Sequence, residues 1–424
     1  MQISVYRRKT CRLCDSKNVE MVVSLAPTPV AEKYVTKEQA GQAQESYPMD
    51  LYMCRDCSHV QILDVVDPKF VFDSYTYSSS NTSGIVKHFE ECADKIVGRY
   101  KPAPKALVVD IGSNDGGFLR CFQSRGLRVL GVDPAKEIAQ KATKSGIETL
   151  AEFLSLDLAR KLKKERGPAS VVTAFNVFAH ADDLGGMADS IRELLAPDGV
   201  FVFEVSYLLD VIDRMLLGTI FHEHLSYHSI KPMRDFLRRH GMELIDVERV
   251  TIQGGSFIGT AQLIGGPHAV SSTVGELLEL EKNRGLEKPE TVKGFATRLK
   301  QVKDELGGML INFKRQGKTI AGYGAARSGT TLISQMDLGN VLSFIVDDSA
   351  EKQNKLSPGH HIPVLPTKAM YERRPDYVFI LAWIHAKKII ENNKQYVEQG
   401  GHFVVCFPEI KVIGKEQLGT VGAK

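Results

Sequence analysis

Apolar side chains recur along this chain with two periods, and the alternation of those periods predicts its architecture. Over residues 84–100, Ile85, Phe89, Cys92, Ile96 and Val97 fall at helical spacing. An apolar run at 106–110 reads as a strand ending on Asp110. The loop Gly112-Ser113-Asn114-Asp115-Gly116-Gly117 opens a helix over 118–125, and a second strand, 128–133, ends on Asp133. A third strand precedes Glu152-Phe153. A fourth, 170–175, leads into Asn176 and His180. The helix at 184–195 carries Met187, Ile191 and Leu194 on one face, Pro197-Asp198-Gly199 predicts a turn, and a fifth strand covers 200–205. Strand, glycine loop, helix and acid-tipped strand form the first half of a doubly wound α/β fold. Residues 273–315 read as long helices with charged faces. Beyond them, strands at 319–324, 341–346, 377–383 and 403–407 alternate with helical stretches as a second doubly wound unit.

The first glycine loop lacks the dinucleotide pattern G-x-G-x-x-G. It carries Asp110 and Asp115 among its glycines, and two carboxylates would repel a phosphate but suit a sulfonium and an ammonium. The expected cofactor is therefore S-adenosylmethionine (SAM). Its loop contacts are expected from Asp110, Gly112, Asn114, Asp115 and Gly116, with Asp133 accepting both ribose hydroxyls and Phe153 flanking the adenine. Asn176 and His180 sit at carboxyl ends of strands, where open α/β sheets bind ligands. His180 reads equally as a satisfied structural histidine.

Ahead of this loop stand two cysteine pairs, Cys11-x-x-Cys14 and Cys54-x-x-Cys57. Four thiolates complete a tetrahedral zinc and leave no place for water, so the metal is structural. A segment this short buries too little apolar surface to fold well alone, which gives the metal a purpose. Cys92, Cys121 and Cys406 read as buried apolar residues. The 424-residue length suits roughly three domains: a zinc module over 1–70, a SAM domain over 71–265, and a helical linker with a Rossmann-like domain over 266–424. The net charge of +3 lacks the strong clustered basicity of a nucleic-acid binder. No apolar run reaches the roughly 18 residues of a membrane span, and the first residues lack a signal-peptide pattern, so a cytoplasmic protein is expected.

The chemistry points to Phe221-His222-Glu223-His224-Leu225-Ser226-Tyr227-His228. The zincin pattern H-E-x-x-H fails because Ser226 occupies its last position. His224 and His228, four residues apart, suit a metal clamp if helical. A polar loop with solvated histidines is the plainer alternative, and a histidine base tuned by a neighbouring carboxylate the sharper one.

The succession of cysteine module, D-I-G-S-N-D-G-x-F, N-V-x-A-H-x-x-D-L, E-V-x-Y-L, H-E-H-L-S-Y and a final Y-G-A-x-x-x-G resembles the sugar-nucleotide C-methyltransferases, over nearly the whole chain. The resemblance implies methyl transfer from SAM to a carbon beside the 4-keto group, commonly C3, of a nucleoside-diphosphate 4-keto-6-deoxyhexose. It implies His224 as base, Glu223 as its companion, and Tyr75 or Tyr77 over the active site. It also implies sugar-nucleotide contacts from His222, Tyr207, Tyr227, Tyr323 and Arg327. The C-terminal loop Gly322-Tyr323-Gly324-Ala325-Ala326-Arg327-Ser328-Gly329 is a degraded G-x-G-x-x-G. Alone it fits NAD, a diphosphate, or no ligand at all. Two departures from the family stand out: Phe221 where a tyrosine is usual, and Gln253-Gly-Gly-Ser-Phe-Ile258 where His-Gly-Gly-Ser-x-Arg is usual. A monomer or small homo-oligomer is expected. Competing readings are a zinc-ribbon methyltransferase for nucleic acid and a SAM-binding protein without transfer activity.

Overall fold

The computed structural model describes residues 5–72 and 83–420. Among them, the central sheet runs through β1 (Leu107–Ile111), β2 (Arg128–Val132), β3 (Thr149–Leu150), β4 (Ala169–Phe175), β5 (Leu195–Ser206), β6 (Met242–Val250) and β7 (Ser256–Leu263). Its order is β3-β2-β1-β4-β5-β7-β6, with β7 antiparallel to both neighbours. Every residue of β1 is buried, as a parallel strand covered on both faces requires. The order reverses between β1 and β4, so a crevice opens at their carboxyl ends.

Helix α1 (Ser83–Tyr100) packs on α2 (Gly117–Gln123), with the Phe89 and Phe118 rings stacked 4.8 Å apart. The predicted turn at Pro197-Asp198-Gly199 is a bulge inside β5. Pairing jumps from Ala169–Leu195 to Val171–Val200, and a Cβ on Gly199 would stand 2.7 Å from the Ala169 carbonyl oxygen.

The N-terminal module is a sheet of Val19–Val23, Leu51–Cys54 and Val60–Ile62, and its fourth strand, Ser226–Tyr227, comes from far along the chain. Ser226 pairs with Gln61 and Tyr227 with Val60. The segment that carries the three candidate histidines is thus the edge of the cysteine module's sheet.

A third sheet contains β8 (Ile320–Tyr323), β9 (Ile345–Asp347), β10 (Val364–Pro366), β11 (Tyr377–Ile380), β12 (His402–Val405) and β13 (Lys411–Ile413), ordered β10-β9-β8-β11-β12-β13. The strand predicted at 341–346 is shorter, because Val341 and Leu342 donate backward to the Leu338 carbonyl in a turn. β11 stops at Ile380, and Trp383 begins a tight helical turn. Strands β10 and β13, three residues each, carry too little periodicity to be read from sequence.

Helices α3 (Ser272–Asn283) and α4 (Pro289–Arg315) join the two large sheets. Glu281 of α3 is buried and accepts from the Ile230 and Lys231 amides at 2.6 and 3.2 Å, capping the helix Ile230–Arg239 from outside. Each buried donor left unmet costs about 1–3 kcal/mol. Glu281→Ala is therefore expected to lower the melting temperature clearly while Glu281→Gln, which keeps an acceptor, lowers it less. Equal melting of wild type and the alanine variant would refute the cap.

Candidate functional site

A cavity of about 720 Å³ occupies the crevice between β1 and β4. Gly112 and Asn114 line it from the glycine loop, Asp133 from the end of β2, Phe153 from beyond β3, and Asn176 and His180 from beyond β4. Pro68, Ile85 and Phe89 close it from the helix side, and Gln253 reaches it from the turn before β7. Among the described residues its lining includes Asp133, Glu152, Asp182, Asp183 and Asp189 and no lysine or arginine. Such a wall rejects a phosphate and attracts a cation. The volume lies within the range of small-molecule sites. These features fit SAM, which carries a sulfonium and an ammonium.

The glycine loop divides its labour. Asp133 is held at the strand end by two backbone donors, Asn114 N to Oδ2 and Ala135 N to Oδ1, both at 2.8 Å. Burial nevertheless pushes its carboxyl above the usual range. Gly112 has φ +67°, and a Cβ there would stand 2.3 Å from Val177 Cγ2, so no other residue fits without displacing that wall.

Asp110, Asp115 and Gly116 do not line the cavity. Asp110 is buried behind it, accepts from Thr173 Oγ1 at 2.6 Å, and is pushed by burial up to about 7. Asp115 accepts from Gly117 N at 3.2 Å, and a Cβ on Gly116 would press Ile147 at 2.8 Å. These three shape the loop from behind.

Sequence reasoning missed a buried link beneath the cavity. Glu204, at the end of β5, accepts from Asn176 Nδ2 at 3.0 Å and pairs with His88 of α1. Burial lowers the His88 pKa, but the Glu204 carboxylate more than offsets this and leaves it raised. A lone histidine on a helix gave no signal of such a partner.

His222 and His228 are buried and His224 is half-buried, so the segment is not a solvated loop. His224 Nδ1 lies 2.7 Å from the Thr219 carbonyl oxygen, so Nδ1 carries the proton and Nε2 holds the lone pair. Its ring packs against Phe221 and His180, with ring centroids 4.0 and 5.0 Å apart. Burial lowers its pKa to about 4. His224 is therefore neutral at pH 7 and stands one ring beyond the cavity wall.

Several residues stand elsewhere than the sequence suggested. Glu223 pairs with Arg327 across the domains at 3.0 Å, and the Nδ1 partner of His224 is a carbonyl, not that carboxylate. His222 Nε2 lies 3.2 Å from the Tyr47 carbonyl oxygen, and burial lowers its pKa to about 4. Tyr207 and Tyr227 are core residues, 0% and 1% exposed, and neither lines the cavity. Tyr323 is also buried and donates to Asp348 at 3.0 Å. His228 is fully buried against His59 and Phe178, so it forms no clamp with His224. Tyr75 and Tyr77 lie outside the described residues. In the C-terminal glycine loop, the Ala325 amide donates to Asp347 at 2.6 Å. Its carbonyl accepts from Tyr34 and Lys352, both at 2.7 Å. The N-terminal module thus docks on that loop.

Cys11, Cys14, Cys54 and Cys57 bring their sulfurs within 4.8 Å of one another, the only such metal-ligand cluster among the described residues. Cys11–Cys57 and Cys14–Cys54 approach to 3.6 and 3.5 Å. Zinc–sulfur bonds of about 2.3 Å at tetrahedral corners place sulfurs about 3.8 Å apart, so the cluster fits structural zinc. No described helix is long and apolar enough to cross a membrane.

Family models match three stretches of the chain: a zinc binding domain over residues 11–72, a methyltransferase domain over 87–247, and a C-methyltransferase C-terminal domain over 251–408. Over 407 residues the chain is 34% identical to the C-methyltransferase NovU of Streptomyces niveus, covering 96% of this chain and 97% of that one. Two solved structures also align. A SAM-dependent methyltransferase from Clostridium acetobutylicum is 11% identical over 47% of this chain and 96% of its own, with a TM-score of 0.35. Magnesium protoporphyrin IX methyltransferase from Synechocystis is 15% identical over 46% and 88%, with a TM-score of 0.32.

Proposed function

Because the chain belongs to the C-methyltransferase family and is a SAM-dependent enzyme, we propose that its acceptor is a nucleoside-diphosphate 4-keto-6-deoxyhexose, methylated beside the ketone, most simply at C3. The observation that carries this reading is His224: neutral, fixed in one tautomer, and stacked on a histidine of the SAM cavity. Its Nε2 takes the proton from the carbon next to the ketone. The resulting enolate carbon forms a bond to the methyl carbon as the S–CH₃ bond breaks, and S-adenosylhomocysteine leaves. The protein's part is to hold carbon, methyl and sulfur in line.

A pKa near 4 makes His224 a weak base, so the enolate oxygen needs strong stabilisation. One well-placed donor contributes about 3–4 kcal/mol. We assign that role to Tyr75 or Tyr77, since Phe221 has no hydroxyl to offer. Arg327, held by Glu223 beside the site, is the candidate partner for the diphosphate. His222 supports the loop on which the sugar rests. This reading makes the protein a cytoplasmic enzyme of deoxysugar synthesis, acting as a monomer or small homo-oligomer and not on nucleic acid.

Proton NMR in D₂O on a panel of nucleoside-diphosphate 4-keto-6-deoxysugars tests it. Exchange of one ring proton with enzyme, and a new C-methyl signal only when SAM is added, are expected. SAM binding without exchange or methylation across the panel would overturn the acceptor class.

A further inference from the structure

Between two cysteines of the metal cluster, Cys11 and Cys14, the first knuckle turn carries an arginine whose side chain is fully buried. Arg12 Nε donates to Asp182 Oδ1 at 3.0 Å, and Asp182 lines the SAM cavity two residues after His180. Its Nη1 donates to the carbonyl oxygens of Ile62 and, at 3.3 Å, of Leu225, the residue after His224. The backbone amide and Nη1 of Arg12 also meet Gln61 Oε1, at 3.0 and 3.2 Å. Two neighbours reinforce the first arm: Arg8 Nη1 donates to the Asp182 carbonyl at 3.0 Å, and Tyr6 donates to its carboxylate. One side chain therefore grips both the wall of the cofactor cavity and the start of the edge strand that follows His224. The planar five-donor fork of arginine can span these acceptors; the point charge of lysine cannot.

We propose that Arg12 is a positioning residue that transmits the geometry of the zinc knuckle to the SAM cavity through Asp182. The metal module then sets cofactor affinity as well as fold. Asp182 is held where its segment, His180 to Asp183, forms the cavity wall. Asp183 itself starts the next helix by accepting from Gly186 N at 2.9 Å. Arg12 touches no reacting atom in this scheme and acts only through the residues it orients.

Calorimetric titration of the zinc-loaded full chain with SAM tests the proposal and needs no acceptor sugar. Arg12→Gln is expected to keep its zinc and to bind SAM about tenfold more weakly, the low end of what losing an outer hydrogen-bond partner costs at metal sites. Arg12→Lys, which keeps the charge but not the fork, should not restore the affinity and covers the case in which the glutamine variant fails to fold. In an Asp182→Asn background, Arg12→Gln should add less than about twofold, because its path to the cavity is already cut. Wild-type affinity in the folded Arg12→Lys protein would overturn the proposal. So would a full additional tenfold loss in the double variant.

Discussion

Replacing His224 by alanine should reduce turnover by about 10²–10⁴-fold, the usual worth of a positioned acid–base group, and leave SAM binding within a few-fold of wild type. The separation of effects follows from geometry. His224 lies beyond the cavity, with its ring against His180, and does not itself line the SAM wall. The pH profile carries a second signature. With a folded pKa of about 4, lowered by burial, the imidazole loses its proton on rising through that pH and stays neutral above it. The acidic limb of the rate profile should therefore fall near pH 4, well below the 6.5 of a solvated histidine. Undiminished methylation in the alanine variant, measured at saturating SAM, would remove His224 as the base. A limb near 6.5 would show that the titrating imidazole is fully solvated, unlike the half-buried His224 ring.

Removing zinc should have the other large effect, and it should reach the chemistry. Structural zinc supplies about 10–16 kcal/mol of apparent folding free energy in small metal modules. Here the module's sheet also holds Ser226–Tyr227 as an edge strand, and Ile62 N donates to the Leu225 carbonyl at 3.0 Å. Metal-free protein, with removal verified by elemental analysis, should lose melting cooperativity at its N-terminal module. It should lose methyl transfer as well, and regain both on adding zinc. Unchanged melting and unchanged turnover after complete removal would show that the four cysteines hold the module without the metal.

The parts of this protein that repeat locally were legible in its sequence. The alternating strands and helices, the acid at the end of β2 and the paired cysteines each declare themselves within a few residues, through periodicity or spacing. The charge of the cofactor loop was legible too, although the structure shows its acids working at two depths. Asp133 faces the cavity and Asp110 supports it from behind. Spacing along a strand cannot tell those two positions apart.

The tyrosines show where local reading fails. Tyr207 sits beside a strand end, as a ligand-binding residue would, yet it is fully buried and packs on Phe257 with ring centroids 5.5 Å apart. Whether a ring fills a core or faces a cleft depends on what the remote chain brings against it. The same holds for Glu223: its neighbour in sequence is His224, but its partner in space is Arg327, more than a hundred residues away.

The doubly wound sheets, the four clustered cysteines and a glycine loop suited to a cation could be read from the residues alone, because each rests on short-range pattern and residue chemistry. That the stretch after His224 pairs as an edge strand of the cysteine module's sheet came only from contacts between distant segments. The tertiary structure alone set the tautomer of His224, through Thr219, and joined Arg12 to the cofactor wall. These outcomes depend on burial and on hydrogen bonds between distant segments. A buried polar group takes whichever partner the whole fold leaves within reach, and no local pattern names that partner.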